Sequence, residues 1–230
     1  MDGFRPLEPA FFDPELDTRE IARALLGQVL VHGETAGRIV ETEAYLGAVD
    51  RACHAWGGRR TPRLEPLYGP AAHAYIYLIY GMYSCLNIVT KGPGQPECVL
   101  IRALEPLTGL EVMAQRSGGK TDKLCTGPGR LCRAMGLDRS LTGTFLLKGD
   151  FYLAQGETVP EEQILSSPQD RDRLRGRGSG PSLAVFPPSQ SLRQQTAAEA
   201  RRSECGPDQK RRSFAVRIDH PPTDRGGWFL

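Results

Sequence analysis

Three side chains in this sequence have the types and spacing to activate water. Glu41 and Glu43 stand two apart in Arg38-Ile-Val-Glu-Thr-Glu-Ala-Tyr-Leu-Gly47, and Arg102 ends the apolar run Val99-Leu-Ile. On a strand, residues two apart share a face, so both carboxylates project together while Val40 and Thr42 project oppositely. A carboxylate held among apolar neighbours is a general base for water. The same pair on a solvated strand end does no chemistry. Arg102 likewise reads two ways: a buried strand-end arginine is paired or binds an anion, an exposed one is surface.

A second group is aromatic. In Tyr75-Ile-Tyr77-Leu-Ile-Tyr80-Gly81-Met82-Tyr83, the tyrosines at 75, 77 and 83 share odd parity, and Tyr80-Gly81-Met82 falls at a bend. One face of such a hairpin can stack on a flat ring. The bend can push a side chain between bases. Ordinary strand core produces the same enrichment. Two further features suit a polyanion. Arg59, Arg60 and Arg63 form a local basic patch. Gly127-Pro128-Gly129-Arg130 opens a helix whose free N–H groups can cradle a phosphate. His54 adjoins Cys53, but two neighbouring ligand types without partners do not make a metal site, and none is expected.

The elements that must position these residues follow from pattern. Thr18 to Leu26 predicts a helix capped by Asp17 or Thr18 and ended by Gly27. Gln28–His32 and Arg38–Thr42 predict a hairpin around residues 33–37, and Ala74–Tyr80 with Cys85–Thr90 predict another. Cys98–Ala103, Phe145-Leu-Leu and Tyr152-Leu read as strands. Thr108-Gly-Leu-Glu111 reads as a capping box opening a helix through Arg116. Pro128 and Gly136 bracket one more helix. Without regular strand–helix alternation, the expected class is α+β, a single domain with a curved, mostly antiparallel sheet, flanking helices and a protruding aromatic hairpin.

Composition narrows the setting. With 230 residues, 40% hydrophobic, the chain can bury one good core. No apolar run approaches the roughly 20 residues of a membrane helix, and the N-terminus lacks a signal pattern, so a cytoplasmic (bacterial nucleoid) or nuclear location is expected. The six cysteines include no CxxC pair and read as reduced and buried. Residues 1–168 carry 17 basic and 20 acidic side chains, a net −3, whereas residues 169–230 carry 12 and 7, a net +5. Any nucleic-acid affinity of the body therefore comes from a local patch.

In order, the 38–47 string, His54, Tyr77-Leu-Ile-Tyr-Gly-Met-Tyr, Asn87, Val99-Leu-Ile-Arg-Ala-Leu-Glu-Pro and Leu124-Cys-Thr-Gly-Pro resemble the alkyladenine DNA glycosylase (3-methyladenine-DNA glycosylase) family over about residues 8–168. The resemblance implies a cofactor-free, monofunctional enzyme, expected as a monomer, that acts on double-stranded DNA containing damaged purines. It would flip an alkylated or deaminated purine out of the duplex and hydrolyse the N-glycosidic bond. By position, Glu43 would activate water and Arg102 would help hold it. Tyr45, His54 and Tyr77 would line the base pocket, Tyr80 would be the wedge, and Asn87 would screen out guanine. Arg59, Arg60, Arg63, Gly127 and Arg130 would meet the DNA backbone. The alternatives are a catalytically weakened damaged-DNA-binding protein and a nucleoside hydrolase, which would need no wedge.

After Pro168 the resemblance stops. Residues 169–230 are rich in Arg, Gly, Ser, Gln and Pro, a composition expected to stay disordered. Codons exist for Gln169 to Pro187 that, read from their second base, give Arg-Ile-Gly-Ile-Asp-Tyr-Ala-Gly-Glu-Ala-Val-Asp-Leu-Ala-Trp-Arg-Phe-Phe, as the family continues. The sequence is thus expected to divide into a glycosylase domain, residues 1–168, lacking its final strand, and a low-complexity tail, residues 169–230, put out of frame by one extra base. In the family a backbone carbonyl in the lost part helps hold the water.

Overall fold

The computed structural model describes residues 3–168 and 214–219. Helix α1, Thr18–Ala24, begins with Asp17 as N-cap in a full capping box with Glu20. It ends before Gly27, at φ +82°, where a Cβ would lie 2.0 Å from the Glu157 carbonyl oxygen. Strands β1, Val29–His32, and β2, Thr35–Tyr45, follow as an antiparallel hairpin. Strands β3, Ala74–Ile79, and β4, Tyr83–Val89, form the second hairpin, and β5 runs Cys98–Thr108. Helices α2, Leu110–Arg116, and α3, Pro128–Met135, precede strands β6, Phe151–Ala154, β7, Ile164–Pro168, and β8, Phe214–Ile218.

Every strand pairing described is antiparallel, in the order β3-β4-β5-β2-β1-β6, with β8 joining β2 to β7. The α+β class read from the sequence is the one observed. The length of β2 explains the branching. Its first residues, Thr35–Arg38, pair with β1, and on leaving β1 its residues Glu41–Ala44 pair with β8. The main core lies between the sheet and the helices and holds Ile21, Leu25, Ile39, Leu86, Ile101, Leu104 and Leu131. A second cluster lies with Tyr45, Cys53, Leu64, Leu67, Tyr75, Cys98 and Leu100, where residues 46–73 cover the strands. No helix among the described residues is long and apolar enough to cross a membrane.

Four expectations need correction. The first hairpin turns on Gly33-Glu34 alone, because Thr35 already pairs with His32. Gly33, at φ +55°, supplies the conformation such a tight turn requires. Thr108 does not cap α2. It remains in β5, paired with Ala36, and the N-cap is Gly109 at φ +73°. A Cβ at Gly109 would sit 2.6 Å from the Glu34 carbonyl oxygen, so close packing, not side-chain capping, sets this helix start. Phe145-Leu-Leu is not a strand. Phe145 makes only an isolated bridge to His73, between Gly143 and Gly149, both at φ +86°.

The fourth concerns the tail. Phe214–Ile218 was expected outside the fold, yet it pairs with both β2 and β7 and buries Val216 and Ile218 in the main core. Its alternating apolar residues satisfy the edge that β2 presents beyond β1. The expectation for residues 169–213 and 220–230 lies outside the described residues. Five cysteines, Cys53, Cys85, Cys98, Cys125 and Cys132, are free and buried, and Cys205 also lies outside that range.

Candidate active site

Alternation along β2 builds the site. Thr42 points toward α1, where its hydroxyl donates to the Ala22 carbonyl at 2.8 Å. Glu41, Glu43 and Tyr45 therefore face the other side, toward residues 46–73. Pairing between β2 and β5 is regular around Thr42↔Ile101 and Arg38↔Glu105 but irregular between them, and Val40 and Arg102 have no cross-strand partner. The register is the same on both sides of this distortion, so the face assignment survives it. Such irregularities bend strands locally and re-aim side chains.

Arg102 bridges the two carboxylates. Its Nε donates to Glu41 Oε1 at 2.8 Å and its Nη1 to Glu43 Oε2 at 3.0 Å. Side-chain exposures are 34% for Arg102, 27% for Glu41 and 1% for Glu43. Burial works against the Arg102 charge, but the two carboxylates outweigh it and hold its pKa above the ordinary arginine value. Glu43 Oε1 is buried and has no hydrogen-bond partner among the described residues. A buried carboxylate oxygen is costly to leave unpaired. Across from Glu43 in the β8 register is Ala215.

Beside this group lies a narrow cleft lined by Tyr45, Cys53, His54, Leu67, Tyr75, Tyr77, Asn87 and Cys98. It holds about 20 Å³, room for roughly one water. Asp50 folds the loop that carries His54: its carboxylate accepts from the Leu46 N–H at 3.1 Å and the Ala52 N–H at 2.9 Å. His54, exposed at the mouth, shares a 2.9 Å hydrogen bond between Nδ1 and the Tyr75 hydroxyl. Burial raises the Tyr75 pKa well above a free phenol, which keeps that hydroxyl neutral. The His54 and Tyr77 rings meet edge-on, with centroids 4.4 Å apart.

Asn87 is 1% exposed, and its amide is held on both ends. Nδ2 donates to the carbonyls of Tyr75 at 3.2 Å and Cys85 at 3.4 Å, and Oδ1 accepts from the Cys98 thiol at 3.7 Å. Burial pushes the Cys98 thiol far above its usual range, so it remains a donor.

At the tip of the β3–β4 hairpin Tyr80 is 84% exposed, at φ +54°, with Met82 and Tyr83 also exposed. Tyr80 and Gly81 are consecutive at positive φ, and the Met82 N–H donates to the Ile79 carbonyl at 3.2 Å, the geometry of a tight hairpin turn. Tyr83 packs on Gly129 at the start of α3, where a Cβ would approach it to 3.0 Å. Tyr83, Gly127, Pro128, Gly129, Arg130 and Arg133 together line an open groove. Gly127 caps α3 without a side-chain bond, leaving backbone N–H groups at the groove.

The structure thus gathers Tyr45, His54, Tyr77 and Asn87 around one cleft, holds Glu43 and Arg102 together as an ion pair further along β2 and β5, and sets Gly127 and Arg130 beside Tyr83. The 59–63 patch differs in one respect. Arg60 pairs with Glu65 at 2.8 and 2.9 Å and stacks over the Tyr68 ring, which balances its charge. Parity in the sequence put Tyr75 with Tyr77 on a face able to stack on a ring, without a separate role for Tyr75, and gave no role to Cys98. Cys98 is found only through cross-strand register, opposite Tyr45.

The methylpurine-DNA glycosylase family profile matches residues 10–169. A protein of Bacillus cereus (strain Q1), provisionally assigned as a 3-methyladenine DNA glycosylase, is 46% identical over 170 residues, covering 69% of this chain and 80% of the relative. A protein of Clostridium acetobutylicum with the same provisional assignment is 47% identical over 161 residues, covering 64% and 78%.

Proposed function

We propose, from the premise that the chain belongs to the methylpurine-DNA glycosylase family and is a DNA glycosylase, a hydrolase, that it removes alkylated or deaminated purines from duplex DNA by water attack. The observation that carries this reading is Glu43, a buried carboxylate with one oxygen fixed by Arg102 and the other unpartnered among the described residues. Water bound at Oε1 attacks C1′ of the damaged nucleotide. A C1′–O bond forms, one water proton passes to Glu43, and the C1′–N bond breaks with its electron pair on the base. A cationic alkylpurine departs neutral, and a neutral lesion takes up a proton as it leaves.

The damaged base stacks with Tyr45 and Tyr77 and meets His54. Because the cleft holds only about 20 Å³, base entry separates the His54 and Tyr77 rings. Tyr80 fills the gap left in the duplex, and flipping favours lesions, which cost less to unpair. Arg59, Arg63, Arg130 and the α3 N–H groups meet phosphates, and the enzyme acts as a monomer. An amine nucleophile would make a lyase. Lys91, the one lysine in the 38–102 stretch, instead donates to the carbonyls of Pro14 and Leu16 at 2.7 and 2.5 Å.

Excision from a duplex carrying 3-methyladenine or hypoxanthine tests the reading. Release of free base, with none from the corresponding nucleoside, supports it. Tight lesion binding without release would make the chain a damage-binding protein. The family match ends at residue 169, whereas Phe214–Ile218, past the boundary expected at Pro168, pairs in the same sheet. Sequencing the DNA across that codon tests the frameshift. A template unable to encode the shifted string removes it and makes Phe214–Ile218 the native strand between β2 and β7.

A further inference from the structure

The catalytic reading leaves Glu41 without a task, yet it makes one of the two ion pairs on Arg102. We propose that Glu41 is a positioning and charge-setting residue for the Glu43 site, an inference that rests on the reading of Glu43 as base. Two observations carry it. The first is geometric. Arg102 lies where β2 and β5 lose regular pairing, and its side chain is one-third exposed, so neither backbone register nor packing alone fixes the guanidinium. A planar fork is held in orientation by two anchors. Glu41 takes Nε, which leaves Nη1 directed at Glu43 Oε2. Without Glu41 the guanidinium would pivot about its one remaining contact.

The second is a charge count. One carboxylate with one arginine is a neutral pair. Two carboxylates with one arginine carry a net −1. Cleavage of an N-glycosidic bond develops positive charge on the sugar, and fixed charge aimed at a developing charge lowers the barrier. Glu41 supplies the excess that Arg102 would otherwise cancel. The other charged side chain at this position, Arg217, faces Glu41 across the β8 register, but it is solvent-exposed and forms no ion pair among the described residues. Water screens it, whereas the Glu41–Arg102–Glu43 group is partly or wholly buried.

The test uses the full chain with enzyme in excess over a hypoxanthine-containing duplex, measuring single-turnover excision and, separately, affinity for that duplex. Glu41→Gln keeps the shape and a hydrogen-bond acceptor but removes the charge. The expected result is a rate at least tenfold below wild type with affinity within about threefold. Glu41→Asp, which keeps the charge, should recover much of that loss, a distinction that a purely structural role would not produce. A Glu41→Gln rate within twofold of wild type, or equal deficits in the Gln and Asp variants, overturns the proposal. Glu43→Gln run alongside separates the two ideas. If it remains active, the base reading fails and this inference falls with it. If it is inactive while Glu41→Gln is fully active, only the role of Glu41 is overturned.

Discussion

Glu43→Gln is the sharpest perturbation of the site, and its consequences follow from three contacts. The wild-type carboxylate is buried, bonded through Oε2 to Arg102 Nη1, and unpartnered at Oε1 among the described residues. Glutamine has the same shape but one acceptor. Its amide must place the oxygen toward Arg102, because an N–H₂ there would face a donor. The nitrogen then occupies the Oε1 position and cannot accept a proton from water. Arg102 keeps Glu41, so no uncompensated charge is left in the fold and stability changes by about 1 kcal/mol or less. Loss of a general base typically costs 10²–10⁴ in rate, or about 2.7–5.4 kcal/mol of barrier. Affinity should hold within about tenfold, because the cleft residues and Tyr80 are untouched. The assay is single-turnover release from an ethenoadenine or hypoxanthine duplex at saturating enzyme, with affinity measured on the same duplex. A rate within tenfold of wild type, or a rate loss matched by an equal loss of affinity, would refute Glu43 as base.

Tyr80→Ala should weaken lesion-duplex affinity at least about tenfold, because the filling of a vacated stack is worth a few kcal/mol, yet slow cleavage of the saturated complex less than about threefold. Unchanged lesion affinity would remove the wedge role, and folded stability should move by no more than about 0.5 kcal/mol since the side chain is almost wholly exposed. Asn87→Ala or Asn87→Ser should admit guanine, read as excision opposite a mismatched pyrimidine, and absence of any such gain would argue against Asn87 as the excluding wall. Asp17→Ala should cost about 1 kcal/mol by removing the α1 capping box, lowering Tm by roughly 2–4 °C. Arg19 holds the Asp17 carboxyl below its ordinary pKa, so the stabilisation this cap gives is present above the unfolded carboxylate pKa and fades as pH falls through the depressed folded value. A variant gap in Tm that persists unchanged at strongly acid pH would contradict that cause.

Much of the site was legible because it depends on period. Alternation alone puts Glu41 and Glu43 together opposite Thr42, and Tyr75 with Tyr77. The helix starting at Thr18 was legible because Asp17 and Glu20 are local signals. What escaped reading depends on contacts between distant segments. Gly109 caps α2 because the Glu34 carbonyl leaves no room for a Cβ, which no local motif records. The Asn87–Cys98 bond and the bridging of both glutamates by Arg102 require the β2–β4–β5 register. Phe214–Ile218 escaped because five apolar-alternating residues inside a polar stretch carry little signal until the open edge of β2 is seen.

The β2 register has a consequence for how this protein tolerates genetic change. The carboxylates, Tyr45 and the α1-facing Thr42 are distinguished only by odd or even position along one strand. Substitutions at Val40 or Ala44 alter packing while leaving that phase intact. Deletion of one residue between Ile39 and Thr42 shifts the phase of everything upstream or downstream of it. If β1 and the core anchor the upstream part, Glu43 is carried onto the α1 face and Thr42 into the cleft, with Tyr45 displaced as well. A loss of three nucleotides here would be more damaging than nearly any single amino-acid replacement in the same stretch, although it removes fewer atoms than many of them alter.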